Sequence, residues 1–229
     1  MSAWLSPWGT ASALVVGLAV AAGAGWRGVV LLFVFLISSS LMTSGGGRRR
    51  PVQVFANGGV AAVSALLPFA DPFFDPLSPL LVCGAIAAAS ADTWSTEIGG
   101  RSRVAPRLIT TGRPVAPGVS GGVTLLGLVG GLGGALAIAL AAGLVGLVSW
   151  RAAGWVLLGG CAGTLTDSLL GATLQARWRC SVCDAGVEQP AHCGRAAVPA
   201  TGLRWLDNDA VNALATMVGA LVAALPAIL

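Results

Sequence analysis

Five carboxylates lie inside or at the ends of long apolar runs in a chain of 229 residues, of which only 10% are charged. They are Asp92, Glu97, Asp167, Asp207 and Asp209. A carboxylate in or near lipid is costly to keep unpaired, so it is read first as a functional group. Carboxylate oxygens are also the ligands that Mg²⁺ prefers, often together with substrate phosphates. These five side chains are therefore candidates for handling a metal, a substrate or a proton inside a helix bundle.

Other polar side chains accompany each acid at helical spacing. Hydroxyl groups share helical stripes with the acids in residues 90–97, and Asn208 and Asn212 lie one turn apart next to the last two acids. Thr164, Asp167 and Gln175 fall on one narrow stripe with a glycine between them. Such stripes favour a ligand or cation that passes close to the helix backbone.

Each pattern also has a purely structural interpretation. A solvated helix end explains Glu97, and hydrogen bonding between helices explains Thr164 and Gln175. Asp207 could act as an N-cap and Asp209 as a favourable charge in the first helical turn. None of these interpretations accounts for the acids at positions 92 and 167, so the functional interpretation is kept for the group.

The composition identifies an integral membrane protein. Hydrophobic residues make up 55% of the chain, more than soluble domains carry. The 33 glycines, together with many alanines, let helix backbones approach closely. We therefore predict an all-α fold, a polytopic transmembrane helix bundle that forms a single integral membrane domain over residues 1–229.

The apolar segments predict about seven spans, since a helix needs about 20 residues to cross a bilayer. The fifth is long and rich in glycine, which predicts a broken or re-entrant helix. The first 26 residues resemble a signal peptide but lack Arg and Lys before the apolar run, which favours a retained first helix. The expected spans are residues 8–25, 28–45, 52–70, 77–98, 119–148, 152–175 and 206–228.

Arginine placement predicts the orientation, because loops rich in Arg stay in the cytoplasm. All 13 basic residues are Arg, and the alternate connections hold only Arg27 and Arg151. The N-terminus is therefore expected in the cytoplasm and the C-terminus outside, with residues 176–204 forming a cytoplasmic loop that contains Cys and Arg. The basic character belongs to loops and does not indicate nucleic acid. The remaining arginines lie in the second, fourth and sixth connections, at positions 48–50, 101, 103, 107, 113, 177, 179, 195 and 204.

The same cytoplasmic loop contains a second group of candidate ligands. Cys180 and Cys183 form a C-x2-C pair, and His192 and Cys193 follow nearby. A cytoplasmic location disfavours disulfides and permits a four-ligand zinc site, although adjacent His and Cys are an unusual second half. Zinc binding, free thiols and a disulfide all remain open at this point.

Taken together, the polar residues fit phosphoryl transfer. Carboxylates from three helices would hold Mg²⁺, Arg-rich loops would neutralise phosphate, and glycine-rich segments would offer backbone N–H groups to anions. The glycine loop of P-loop enzymes is absent from the sequence.

Six ordered motifs resemble the integral-membrane family known as domain of unknown function 92, which includes transmembrane protein 19 and a plant phytyl-phosphate kinase. The similarity runs from about Leu31 to the C-terminus. The motifs are residues 53–59, 91–99, 106–111, 117–123, 167–172 and 205–212.

This resemblance implies a kinase that uses a nucleoside triphosphate, with CTP favoured, to convert an isoprenoid monophosphate to its diphosphate at the cytoplasmic membrane face. It implies catalytic roles for Asp92, Glu97, Asp167 and Asp209. These four residues and Asp207 would all be Mg²⁺ ligands. The substrate and phosphate sites would be formed by Asn57, Arg107, Arg113, Ser120, Gly121, Gly122, Ser168, Asn208 and Asn212.

An ion-coupled transporter or lipid flippase is the alternative, because buried acids and glycine-broken helices also suit transport. A transporter predicts carboxylates near the bilayer midplane and polar groups in both halves of the membrane. Here the polar groups are biased to one face, which favours an enzyme. The expected partners are a nucleoside triphosphate, an isoprenoid monophosphate and the bilayer, and the sequence defines no oligomeric state.

Overall fold

The computed structural model describes residues 5–43 and 48–228, and its fold is predominantly helical. Four of the helices, α1, α2, α4 and α6, are long and apolar enough to cross a membrane. The two others, α3 and α5, carry the acids at positions 92, 97 and 167. The described helices are α1 (Pro7–Met42), α2 (Pro51–Ala70), α3 (Ser78–Gly99), α4 (Leu125–Leu144), α5 (Trp150–Thr173) and α6 (Asn208–Ile228), with a 3-10 turn at Pro72–Phe74.

Helix α1 is folded back on itself at Gly25. A straight helix of its 36 residues would be about 54 Å long. Yet the Ser6 N–H donates to the Arg49 carbonyl at 3.1 Å, and the seven residues after Met42 can span at most about 25 Å. Gly25 provides the reversal with φ 62° and ψ −163°, values that glycine adopts at little cost. The reversal coincides with the expected boundary between the spans at 8–25 and 28–45, whereas the count of about seven spans is not confirmed.

Helix α3 lies at the centre and packs against α1, α2, α4, α5 and α6. Its residues 80–91 are buried and are mostly small. Close contacts with glycines make this packing tight: a Cβ on Gly84 would overlap the backbone of α6, and a Cβ on Gly163 of α5 would overlap Ala88. The most enclosed helix is therefore the one that carries Asp92 into the bundle.

Helix α4 corrects the expectation for the fifth span. It begins at Leu125 and continues through its glycines to Leu144, so it is neither broken nor re-entrant. The glycines serve close packing instead: a Cβ on Gly134 would lie 2.7 Å from the Ser90 carbonyl oxygen, and one on Gly130 would lie 2.9 Å from the Trp94 carbonyl oxygen. Residues 119–124 precede the helix as a turn followed by the two-residue strand Gly122–Val123.

The three Arg-bearing connections meet at one end of the bundle. Arg101 donates to the Met42 carbonyl at 2.9 Å, Arg50 pairs with Asp209 at 3.4 Å, and Arg177 donates to the Ser120 carbonyl at 3.0 Å. At the opposite end Arg27 donates to the Gly146 carbonyl. The first end carries short antiparallel pairings: β1 (Arg107–Leu108) with β2 (Gly122–Val123), β3 (Arg177–Arg179) between β4 (Gly186–Val187) and β7 (Val198–Thr201), and β5 (Ala191–His192) with β6 (Arg195–Ala196).

Candidate functional site

A cavity of about 710 Å³ lies at the Arg-bearing end of the bundle. This volume is within the range of small-molecule sites. Its walls come from the last turns of α3, residues 99–106, residues 117–124, one turn of α5, the start of α6, Asn57 of α2 and Glu188. Segments far apart in the sequence therefore converge on one polar space.

Three predicted carboxylates line this cavity, namely Asp92, Glu97 and Asp167. Asp167 interacts electrostatically with Asp92 and with Glu188, which places negative groups from α3, α5 and a loop close together. The Oδ2 atom of Asp167 is buried and has no hydrogen-bond partner among the described residues. A buried acceptor without a partner costs roughly 1–3 kcal/mol, so this oxygen is well suited to a cation.

Helix packing brings the two central acids together. Gly163 contacts Ala88 where α5 crosses α3, and each helix reaches its acid, Asp167 or Asp92, one turn later. Nearby hydroxyls are satisfied locally, since Thr93 and Thr166 each donate to the carbonyl four residues earlier in their own helix. The Thr93 hydroxyl is thus already engaged, whereas Asp167 Oδ2 has no hydrogen-bond partner among the described residues.

The segment containing Ser120, Gly121 and Gly122 lines the cavity, but not as the beginning of a helix. Strand β2 begins at Gly122, and the Ile109 N–H donates to the Gly121 carbonyl at 2.9 Å. Gly121 has φ 79°, and a Cβ on it would lie 2.5 Å from Ala172. Only glycine fits this approach to α5, which holds the segment beside Ser168.

Of the other residues predicted for the site, some line the cavity and others lie outside it. Asn57, Ser168, Asn208 and Asn212 line it with their side chains or backbone. Arg107 and Arg113 do not: both are exposed, and Arg107 donates to the Gly112 carbonyl in its own turn at 2.8 Å.

Asp207 and Asp209 also lie outside the cavity lining. Asp207 Oδ1 accepts from the Ala210 N–H at 2.9 Å, the expected N-cap contact of α6. Asp209 pairs with Arg50 at the start of α2. Their surroundings match the structural interpretation of these two acids, and the predicted metal ligands brought together are those on α3 and α5.

Two cavity residues were missed by sequence reasoning. Glu188 Oε1 accepts from the Ser120 N–H at 3.2 Å and from the Ser120 hydroxyl, and its Oε2 accepts from Gln175 at 3.3 Å. Arg103 lines the cavity in place of the two arginines predicted for phosphate. Both residues lie in irregular segments, where no periodic pattern distinguishes them from solvated charges.

The four side chains of the predicted zinc loop form a separate cluster outside the cavity lining, called here the Cys cluster: Cys180, Cys183, His192 and Cys193. One ligand atom from each lies within 4.8 Å of the others. Cys180 is buried, and backbone N–H groups of Cys183 and Val182 hold the pKa of its thiol at about 6. The cysteines of the cluster are unbridged, so the structure does not contain the disulfide that the sequence left open.

Comparisons with known proteins agree on one membrane family. The family model described as Integral membrane protein DUF92 matches residues 1–220. Protein PGR of Arabidopsis thaliana is 34% identical over 226 residues, covering 82% of this chain and 77% of the relative. An uncharacterized membrane protein of Synechocystis sp. is 29% identical, covering 96% and 81%, and one of Methanocaldococcus jannaschii is 29% identical, covering 95% and 83%. No solved structure matches the chain.

Proposed function

The chain belongs to the DUF92 family of integral membrane proteins, and from this premise we propose that it is a prenyl phosphate kinase of the phytyl type. It would transfer the terminal phosphoryl group of a nucleoside triphosphate to an isoprenoid monophosphate and release a nucleoside diphosphate and an isoprenoid diphosphate. CTP is the favoured donor because of the resemblance to phytyl-phosphate kinase. The reaction would take place on the cytoplasmic face, because the arginine distribution predicts that the end of the bundle with the cavity lies there.

One observation carries this proposal. Asp92, Asp167 and Glu188 come from three separate segments and line one cavity at the Arg-bearing end of the bundle. One buried carboxylate oxygen of Asp167 has no hydrogen-bond partner among the described residues. Such a group of acids repels itself unless a cation is bound. The donor set consists of hard oxygens, which fits Mg²⁺.

Asp92 and Asp167 would hold Mg²⁺, with Glu97 at the cavity wall within the same ligand set. When bound, the ion supplies charge stabilisation to the transferring phosphoryl group. The protein's own carboxylates fix where the ion binds, because close glycine contacts hold α3 against α4 and α5.

The remaining cavity residues suit the binding of phosphates. Arg103 offers a guanidinium group, and the side chains of Asn57, Asn208 and Asn212 offer amide donors. In the transfer, the bond between the terminal phosphorus and its bridging oxygen breaks while an oxygen of the acceptor monophosphate bonds to that phosphorus. An acceptor phosphate is already ionised at neutral pH, so no strong general base is required.

Exposed apolar groups on α2, the helix that brings Asn57 to the cavity, suit a lipid acceptor. Val52 and Phe55 of α2 are each 47% exposed and lie within two turns of Asn57. An isoprenoid chain could remain beside such side chains in the bilayer while its phosphate enters the cavity. This arrangement explains why a phosphotransferase would be built into a membrane bundle.

The location of the polar groups favours an enzyme over a transporter. Residues 80–89 of α3, which run from the cavity end toward the opposite end, are buried and apolar. A transport pathway would need polar groups along this half of the central helix as well.

The direct test is phosphoryl transfer by the purified full-length protein in lipid nanodiscs. Terminally radiolabelled CTP, ATP, GTP and UTP would each be combined with phytyl, geranylgeranyl and farnesyl monophosphate and Mg²⁺. We expect labelled isoprenoid diphosphate, most abundantly with CTP, and none after Mg²⁺ is chelated. A folded protein that consumes no nucleotide with any of these acceptors would contradict the proposal and favour a flippase or a scaffold.

A further inference from the structure

The Cys cluster has the composition of a metal site and lies apart from the proposed catalytic cavity. Its ligand atoms come from a C-x2-C pair between β3 and β4 and from two adjacent residues in the hairpin of β5 and β6. We propose that Cys180, Cys183, His192 and Cys193 bind one structural Zn²⁺, which fixes the loop that carries Glu188 into the cavity.

The distances among the ligand atoms of Cys183, His192 and Cys193 agree with tetrahedral zinc. Bond lengths of about 2.3 Å for Zn–S and 2.0 Å for Zn–N at tetrahedral angles give roughly 3.8 Å between two sulfurs and roughly 3.5 Å between sulfur and nitrogen. The Sγ atoms of Cys183 and Cys193 are 3.8 Å apart, and His192 Nδ1 lies 3.5 Å from the first and 3.3 Å from the second. The sulfur distance is far from a disulfide bond, which is about 2.05 Å long.

The backbone explains how adjacent His192 and Cys193 can both act as ligands. His192 pairs with Arg195, so Cys193 and Gly194 form a two-residue hairpin turn with φ 51° and 71°. Positive φ at both central residues defines a type I′ turn, and it strains Cys193 because this residue has a Cβ. The turn directs the thiol and the imidazole toward the same point, and ligation to a metal would offset the strain.

The first ligand pair is built in a comparable way. The Cys180 N–H donates to the Ala185 carbonyl at 2.9 Å and the Val182 N–H contacts Cys180 Sγ at 3.4 Å, which closes a tight turn around the sulfur. Asp184, directly after Cys183, has φ 59°. Two tight turns with positive φ thus face each other across the ligand atoms.

This part of the chain has very little apolar core. Between residues 177 and 205, all of which the structure describes, Cys180 and Ala197 are the buried residues. Strands of two to four residues with so little burial cannot be stable through hydrophobic packing alone. A bound metal is the usual source of stability for such a small unit, and three thiols with one imidazole favour Zn²⁺ over the hard cations.

The position of Glu188 gives the cluster a consequence for the cavity. Glu188 lies between the two ligand pairs in the sequence, directly after β4, and its carboxylate accepts from Ser120 and Gln175. Closing the ring from Cys180 to Cys193 would restrict this segment. The metal would then act as a positioning element for Glu188 and, through it, for the backbone of residues 120–122.

The first experiment measures zinc in the purified full-length protein after extensive dialysis, by inductively coupled plasma mass spectrometry. We expect about one Zn²⁺ per chain, with loss of most of it in Cys183→Ser and in Cys193→Ser. Cys161→Ser is the matched control, because Cys161 is an unbridged cysteine on α5 outside the cluster, and it should retain the metal. A wild-type protein without zinc, or a Cys183→Ser protein that keeps it, would overturn the proposal.

A second measurement remains informative if the cluster variants fold poorly. Wild-type protein with Co²⁺ in place of Zn²⁺ should show the visible absorption bands of tetrahedral cobalt bound to thiolates. Hydrogen exchange of residues 117–122 should speed up several-fold when zinc is chelated, while exchange in α4 stays unchanged. Octahedral cobalt spectra would contradict the ligand set, and unchanged exchange at residues 117–122 would contradict the positioning role.

Discussion

The cavity and the Cys cluster are both candidate cation sites, but they are built by opposite means. The cavity collects oxygen ligands from α3, α5 and a distant loop, so its geometry depends on helix packing across the whole bundle. The Cys cluster collects sulfur and nitrogen ligands from residues 180–193, and its geometry depends on two local turns. Hard ligands at the membrane surface suit a reacting phosphate complex, whereas soft ligands in a closed tetrahedral arrangement suit structure.

This difference predicts how each site should respond to change. Damage to the helix contacts should disrupt the cavity and leave the Cys cluster intact. Loss of the metal from the Cys cluster should loosen one wall of the cavity and leave the helices packed. Activity, stability and metal content can therefore separate the two sites.

The largest expected effect is on turnover. Asp92→Asn and Asp167→Asn preserve side-chain size and remove a negative charge, so they should leave the bundle folded and lower phosphoryl transfer by about 100-fold or more. Asp75→Asn is the matched control, since Asp75 is exposed at the opposite end of the bundle. The measurement is the radiolabelled transfer assay at saturating Mg²⁺. Full activity in both folded variants would refute the assignment of these acids.

The next effect is on stability. In Gly163→Ala the new methyl group would overlap Ala88 and lie 2.9 Å from the Ala215 carbonyl oxygen, so we expect a loss of about 1–3 kcal/mol. Gly154→Ala is the control on the same helix, because its new methyl group meets nothing within 4 Å. Thermal unfolding in detergent should give Gly154→Ala a clearly higher melting temperature than Gly163→Ala. Equal melting temperatures would show that the crossing of α3 and α5 tolerates an added methyl group.

A smaller effect is expected at the loop that joins the two sites. Glu188→Gln keeps the shape but weakens the hydrogen bond from the Ser120 N–H, because the acceptor loses its charge. We expect about a tenfold loss in kcat/KM, with zinc content unchanged. Gln189→Glu tests the neighbouring exposed position, where a charge change of the same size and opposite sign should have little effect. Wild-type turnover in Glu188→Gln would show that this contact has no part in the reaction.

The smallest effect is expected at the ion pair between Arg50 and Asp209. The pair is 3.4 Å long and the Arg50 side chain is 65% exposed, so its contribution to stability is about 0–1 kcal/mol. Asp209→Asn should therefore shift the melting temperature slightly and change transfer less than threefold. A loss of turnover as large as that of Asp167→Asn would restore Asp209 to the catalytic group.

The sequence predicted the features that follow from composition and helical periodicity. It predicted the helical membrane bundle, and it singled out Asp92, Glu97 and Asp167, which line the cavity, because an acid within an apolar helix is conspicuous. The zinc hypothesis came from local spacing in the Cys loop, and the ligand atoms do lie together. The family assignment is confirmed by the match over residues 1–220.

Features that depend on tertiary contacts could not be predicted. The glycines of α4 looked like helix breaks, yet they are contact points with α3. Glu188 reaches the cavity only through the packing of its loop on Ser120, and nothing in its sequence neighbourhood signals that contact.

The central claim is that carboxylates of α3 and α5 form a divalent cation site in the cavity. The most direct test is an electron paramagnetic resonance titration with Mn²⁺ as a substitute for Mg²⁺, in the presence of phytyl monophosphate. We predict about one tightly bound Mn²⁺ per chain in the wild type and in Asp75→Asn, and at least tenfold weaker binding in Asp167→Asn. Mn²⁺ binding by folded Asp167→Asn protein with wild-type affinity would contradict the account.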